Sequence, residues 1–403
     1  MFISYHYKKI AHPGTVPRNW IKCLIFAGVL LFCFLSLSSY RNIAIVDSEN
    51  EGDSRGIAVP GMQEFIKMKN HLLPDRESKK KPQLLNAAIV SLVRNENLFG
   101  MIYTMRQLDD RFNNNYGYRY ILLNDVPFTE EFKERVTGIT RHKVEFGLLV
   151  NGTWGYSPYV DRNKVARKLE ENEDRYIYGG SLSYRFMCRF QAGFIYKHPL
   201  LKGLDYYWRI EPDVNYFCDM PYDPFELYKT KGYKYGYALA PPEKEMTVET
   251  LWETTKDWIR KNKHFLPEKS FASFLLKDNG DYNMCHFWSN FEIVDLSLYR
   301  SPAYESYFQH LERAGGFFYE RWGDAPIHSI AACLFLTKSQ IHWFEDVGYH
   351  HVGYLHCPKP KSMLKACLCE PEDSYTQEAP CHKRYRDVDD ISKQELLSIL
   401  GIE

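Results

Sequence analysis

The chain has 403 residues, and its 51 basic and 51 acidic side chains leave no formal net charge. That length allows one large core or two smaller ones, and the balance of charge argues against a nucleic-acid-binding protein, whose footprint is a strong basic excess. Aromatic side chains are 16% of the chain and 30 of them are Tyr, a residue whose apolar face and polar tip suit sugar or nucleotide binding as well as a large core.

The first element is the uncharged run from Cys23 to Tyr40, long enough to cross a bilayer core. Lys8, Lys9, Arg18 and Lys22 precede it; beyond Arg41 come Asp47, Glu49, Glu51 and Asp53. The positive-inside rule makes residues 1–22 a cytosolic tail, 23–40 a signal anchor and the remainder lumenal. A cleaved signal peptide is the rival reading, but the basic leader is long for one and "SLSSYRN" is a poor small-x-small cleavage site. Residues 41–82, polar and irregular, read as a stem, and 83–403 as the lumenal domain. An oxidising lumen makes disulfide candidates of the eight cysteines from Cys188 onward. Asn151-Gly152-Thr153 is a glycosylation acceptor that fits the same side.

Regular structure begins at "NAAIVSLV", 86–93, a continuous apolar, β-branched run of the kind found in a strand buried on both faces. Helical spacing follows in "NLFGMIYTMRQLDDRF", then a strand in "YRYILLND", a helix in "PFTEEFKERV" and a third strand in "KVEFGLL". The alternation predicts an open α/β sheet. A helix at 183–198 leads into the strand "YYWRIEPD", and "YGYALAP" is another strand. In 247–262, Val248, Leu251, Trp252, Thr255, Trp258 and Ile259 fall on one helical face. Further helices start at Ser301 and Asp324. Cys357, Cys367, Cys369 and Cys381 crowd a Lys/Pro-rich segment and are expected to staple a loop-rich cap. Zinc is the competing reading, though the spacing fits no common finger.

Ligands of open α/β sheets bind at the carboxyl ends of the strands, where "YYWRIEPD" ends in Glu211-Pro212-Asp213. If the segment stays extended, Glu211 and Asp213 point the same way and could share a hard cation that also binds a substrate's phosphates. A solvated turn is the structural alternative. Glu292 lies inside the apolar stretch "NFEI", where an acid needs a partner or a task. Asp324 opens a helix and could be its N-cap. "GYHHVGYLH" offers His350, His351 and His356; the first two are adjacent, so at most one of them reaches a metal. Arg94, ending the first strand, could meet a phosphate or form an ion pair.

Together "YGGSLSYRFMCRFQAGF", "YWRIEPDV", "MCHFWSNFEI", "SPAYESYFQHLERAGGFFYERWGDAPIHSIAA" and "DVGYHH" resemble the fungal Golgi mannosyltransferases that use GDP-mannose, the glycolipid 2-α-mannosyltransferase family. The resemblance spans residues 85–385. It implies a GT-A-type single α/β domain with a central mixed sheet, and transfer of mannose from GDP-mannose to a mannose hydroxyl with retention, usually α-1,2. It implies Mn²⁺ held by Glu211 and His351, Glu292 as candidate nucleophile, Tyr184 beside the reacting sugar and Asp324 near the acceptor. Arg94 would contact the nucleotide diphosphate, and Asp213 would orient rather than ligate. Implied partners are mannosylated glycoproteins, at a Golgi membrane. Departures from the family pattern are Val352-Gly353 for a proline pair, Phe186 for a histidine and Cys333 for an alanine. A mannosylphosphate transferase, which would release GMP, and a catalytically silent binding protein are the competing readings. The second is disfavoured because Glu211, Glu292, Asp324 and His351 are all present.

Overall fold

The computed structural model describes residues 83–402. A seven-stranded mixed sheet runs through them. Its strands are β1 (Ala87–Leu92), β2 (Tyr120–Asn124), β3 (Val144–Leu148), β4 (Tyr206–Arg209), β6 (Tyr235–Tyr237), β8 (Glu292–Asp295) and β9 (Ile341–Trp343), in the order β3-β2-β1-β4-β8-β6-β9. The half formed by β3, β2, β1 and β4 is parallel; β8 is antiparallel to both β4 and β6. A second sheet holds β5 (Asn215–Tyr216), β10 (Tyr349–His351) and β11 (Tyr354–His356), and a third pairs β7 (Lys269–Ser270) with β12 (Ile391–Ser392). The mixed α/β architecture expected from the sequence is present. Among the described residues no helix is long and apolar enough to cross a membrane; the run 23–40 and the stem 41–82 lie outside them.

The apolar runs are continuous because the sheet is covered on both faces. Side chains alternate along each strand: Ala88, Val90, Tyr207 and Val294 face one core, while Ala87, Ile89, Trp208 and Ile293 face the other. The helices Leu182–Gly193, Leu251–Lys261, Pro302–Ala314 and Asp324–Phe335 contribute to the first core, and Leu98–Leu108 and Pro224–Lys231 to the second. On Leu251–Lys261 the buried residues are Leu251, Trp252, Thr255, Trp258 and Ile259, the stripe legible in the sequence; Val248 is buried but precedes the helix. Ser301 caps Pro302–Ala314 through the Tyr304 amide, satisfying an orphan donor.

Among the described residues three disulfides form: Cys218–Cys367, Cys285–Cys381 and Cys357–Cys369. Only the last is internal to the cysteine-rich segment, so the expected local staple is corrected. The other two tie the segment to the strand-flanking loops of the domain. Cys188 and Cys333 are free and buried; Cys188 is therefore not among the bridged cysteines the lumenal reading allowed for.

A buried histidine also ties the C-terminal segment to the sheet. The Ala240 amide, beyond β6, donates to His382 Nε2 at 2.8 Å, and the ring is fully buried. Burial, with His356 and Arg386 nearby, depresses the His382 pKa to about 2. Burial likewise brings His356 to about 4. In the unfolded chain both titrate near the ordinary histidine value, about 6.5. The folded state therefore binds fewer protons between those limits, so stability is complete above about pH 6.5 and falls as pH drops. Each such histidine contributes a slope approaching about 1.4 kcal/mol per pH unit. Thermal unfolding midpoints should decrease from pH 7 to pH 5, and His382→Gln, which keeps an acceptor but cannot titrate, should flatten that dependence.

Candidate active site

β4 carries the central residues. Its register against β8 sets Arg209 opposite Glu292, and its register against β1 sets Arg209 opposite Val90. Arg209 is buried and joins two carboxylates. It bonds Glu211 Oε1 through Nε at 2.8 Å and through Nη2 at 2.7 Å, and Asp324 Oδ2 through Nη1 at 2.5 Å. Ser289 Oγ also donates to Asp324 Oδ2, at 2.7 Å. Burial would push the Asp324 carboxyl up, but Arg209, with His328 and Ser289, holds it below the ordinary carboxylate range. Gly323 is the N-cap of Asp324–Phe335, and Asp324 is the first residue inside it. The N-cap reading of Asp324 is thus replaced by an acid in the first turn, where the helix dipole favours it.

Glu292 is wholly enclosed. Tyr207 donates to its Oε1. Tyr235 at 3.0 Å, Tyr299 at 3.3 Å and His328 Nδ1 at 3.0 Å meet its Oε2. Burial raises its pKa, yet His328, Arg209 and Tyr207 together outweigh that and leave the carboxyl below its ordinary value. Burial and the Glu292 charge lift Tyr207 and Tyr235 well above the usual phenol range, so both stay protonated and serve as donors.

β4 pairs only as far as Arg209, with Ile210 donating one more ladder bond to Val90. Pro212 cannot donate to a ladder, and Pro212 and Asp213 form a turn. The expectation that Glu211 and Asp213 share one face of an extended segment is therefore corrected. Asp213 has φ +61° and is exposed. Its amide donates to the Gly100 carbonyl at 3.2 Å, and a Cβ on Gly100 would stand 2.5 Å from its Oδ1. Asp213 thus lies against the first turn of Leu98–Leu108. The Glu211 side chain is 22% exposed, and its Oε2 has no hydrogen bond from the protein. Burial raises the Glu211 pKa, with Arg209 opposing.

His351 reaches this turn through the second sheet. Strand β5 follows the turn directly, and β10 pairs with it through His350↔Asn215 and Tyr349↔Tyr216, which carries His351 alongside the residues just after Glu211. His351 packs against Trp288, ring centroids 5.0 Å apart. Its Nδ1 is buried without a partner. Burial, then His350 and Arg209, depress its pKa to about 4, so the ring is neutral at physiological pH. His350 instead contacts Asn215 at 3.2 Å, and His356 is bonded to Thr376 and the Glu345 carbonyl. A neutral imidazole with an orphan nitrogen and a carboxylate with a spare oxygen fit a divalent cation. No cluster of three His, Cys, Asp or Glu side chains suited to a metal occurs among the described residues, so further ligands would come from substrate or water.

Tyr184, in Leu182–Gly193, stacks on Tyr178 at 4.5 Å and lies under the Arg321 guanidinium at 5.1 Å. Arg94 stands exposed after β1, with Glu96 at 3.6 Å. Sequence reasoning missed Arg209, Ser289 and His328. Two signals were available: an arginine inside an aromatic strand two residues before an acid, and a histidine four residues after Asp324 on the same helical face.

By its relatives this mixed α/β chain is a glycosyltransferase. The chain belongs to the glycolipid 2-alpha-mannosyltransferase family, whose model matches residues 47–390. It is 47% identical over 311 residues to the glycolipid 2-alpha-mannosyltransferase of Saccharomyces cerevisiae, covering 76% of this chain and 70% of that one. With O-glycoside alpha-1,2-mannosyltransferase homolog 3 of Schizosaccharomyces pombe it shares 43% identity over 359 residues, 87% and 93% of the two chains. The fold matches the Mn/GDP form of core-mannan synthase A (CmsA/Ktr4) from Aspergillus fumigatus with TM-score 0.70 and 37% identity, over 81% of this chain and 88% of that one.

Two outcomes follow from the geometry. Arg209→Met leaves Glu211 and Asp324 without their cation and should cost about 3–5 kcal/mol in denaturant unfolding. Val352 turns the β10–β11 hairpin at φ +26° and is 72% exposed. Val352→Asn, a residue that tolerates positive φ, should stabilise the chain by about 1 kcal/mol in the same measurement.

Proposed function

We propose that the protein is a retaining mannosyltransferase that moves mannose from GDP-mannose to a mannose hydroxyl, forming an α-1,2 linkage. Its acceptors are N- or O-linked glycans of secreted and cell-wall mannoproteins. The observation that supports the reading is His351, whose Nδ1 is buried without a partner on a strand that the β5–β10 ladder sets beside the segment following Glu211. Names and ligands of the relatives point the same way.

Glu211 and His351 would hold Mn²⁺, which when bound neutralises charge on the departing diphosphate. Arg94, exposed at the end of β1, would add a cation to the same diphosphate, and Asp213 would brace the turn. Tyr184 and Asp324 would face the reacting sugar and the acceptor. Retention requires either a carboxylate that attacks the anomeric carbon or a same-face return. A nucleophile must present a free lone pair, whereas Glu292 is enclosed and fully hydrogen-bonded. That environment favours a fixed negative charge that stabilises an oxocarbenium-like state, with attack on the same face as the leaving group. We further propose residues 23–40 as a signal anchor, 41–82 as a stem and the catalytic domain in the Golgi lumen. Three disulfides support an oxidising compartment, and the exposed Asn151 supports its glycosylation.

The full chain with GDP-mannose, Mn²⁺ and α-methyl mannoside should give GDP and an α-linked disaccharide, and Glu211→Ala should lower turnover by about 10²-fold or more. Release of GMP with a phosphodiester product would overturn the reading in favour of a mannosylphosphate transferase. No covalent mannosyl–Glu292 adduct should accumulate with a slow donor; its isolation would restore Glu292 as nucleophile.

A further inference from the structure

The other end of β4 carries a cavity that none of the roles above uses. Its volume is about 540 Å³, and Tyr196, Lys197, Pro199, Lys202, Arg300 and Glu305 line it. Small-molecule sites fall between about 300 and 1,000 Å³. Tyr196 and Lys197 belong to the segment between Leu182–Gly193 and β4, and Arg300 precedes Ser301, the cap of Pro302–Ala314. The cavity therefore adjoins the amino end of β4, whereas Arg209 and Glu211 stand at its carboxyl end. Arg300 fixes the wall: its Nη1 donates to the Leu204 carbonyl at 2.7 Å and its Nη2 to the Leu201 carbonyl at 2.8 Å. Burial lowers its pKa against the pull of Asp205 and Asp295. Neither acid lines the cavity, and Asp295 is paired with Lys234 at 2.7 Å. Lys197 Nζ meets Glu305 Oε2 at 2.8 Å, so those two charges cancel. Lys202 and Arg300 are left in excess.

Tyr196 says what the cavity lacks. The residue is 2% exposed, and its hydroxyl is buried without a hydrogen-bond partner. Burial, with the Glu305 carboxylate nearby, raises the phenol pKa, so the group keeps its proton. A buried O–H left unpaired is destabilising until something accepts from it. The lining thus offers one orphan donor and two uncompensated cations, and calls for an anion rich in acceptor oxygens. A phosphate monoester carries about 1.5 to 2 negative charges at neutral pH and three strong acceptor oxygens, which matches both demands. We propose that this cavity is a phosphate site, remote from the transfer site: Lys202 and Arg300 hold the charge, and the Tyr196 hydroxyl donates to one oxygen. It takes inorganic phosphate or the terminal phosphate of a lipid headgroup. The proposal does not rest on the mannosyltransferase reading.

The test uses the full chain with saturating GDP, which occupies the diphosphate site. Equilibrium dialysis of radiolabelled inorganic phosphate gives the affinity, and the thermal unfolding midpoint gives a second readout. Phosphate should bind and raise the midpoint. Lys202→Glu should weaken binding by about tenfold or more, and Tyr196→Phe by about three- to tenfold, with mannose transfer unchanged in both. Without phosphate, Tyr196→Phe should not lower the midpoint, because the donor it removes has no partner. Phosphatidylcholine vesicles with and without phosphatidic acid separate the two sources. Capture by phosphatidic acid that Tyr196→Phe weakens assigns the headgroup; dialysis binding without capture assigns the free ion. Binding in neither arm would overturn the proposal. So would binding that Lys202→Glu weakens and Tyr196→Phe leaves unchanged, since that is attraction to a surface charge and not to a built site.

Discussion

The site depends on one buried cation. Arg209 sits on the central strand β4 amid three acids, bonded to Glu211 and Asp324 and opposite Glu292 in the ladder. Burial would lower its pKa, but the three carboxylates raise it well above the ordinary value, so it is always charged. Without it, like charges would share a low-dielectric pocket, and at least one acid would take up a proton. With it, the acids divide. Asp324 and Glu292 are held below their ordinary range, whereas for Glu211 burial outweighs the guanidinium and the pKa is raised. The least stabilised carboxylate is also the most exposed of the three, and so the one with most to gain from a further cation.

A second constraint is the placing of β10, with His351, beside the strand that follows Glu211, from a segment about 140 positions later in the chain. The agent is the short β5–β10–β11 sheet. Its far end is fixed by the Cys218–Cys367 disulfide and by the Phe217 and Asp219 amides, which bond the Gly348 and Ala366 carbonyls. Gly348 has no substitute in this arrangement, since a Cβ there would meet Cys218 Sγ at 2.8 Å. The near end closes through Val352 and Gly353, both at positive φ. That turn sets the His351↔Tyr354 pairing.

Most of the fold was legible because its signals are local. The strand runs at 87–92 and 120–124, the buried face of Leu251–Lys261 and the Ser301 cap are written in spacings of two to four residues. The site was legible as a set of residues but less so as an arrangement. Glu211 and Asp213 read as twins from strand periodicity, yet Pro212 ends the ladder and sends Asp213 toward Gly100. Arg209, Ser289 and Asp324 lie 35 to 115 positions apart, and no periodic pattern reports a contact at that range. Disulfide connectivity is hidden for the same reason, and the structure spends two of its three bridges on long-range links.

The enclosure of Glu292 follows from its place in the sheet. On β8 it is flanked by β4 and β6, and Tyr207 and Tyr235, both opposite Val294, reach it on the diagonal. Tyr299 and His328 close the remaining side. A carboxylate so held cannot turn toward a substrate without leaving four donors unsatisfied in the core, each costing about 1–3 kcal/mol. The same donors keep it ionised where burial alone would neutralise it. A charge that is fixed in place before the substrate arrives needs no reorganisation as positive charge develops on a sugar ring, which is the condition under which electrostatic stabilisation is most effective. The tyrosine cage and the ion pair at Arg209 therefore act together: they hold two anions, Glu292 and Asp324, where β4 and β8 meet.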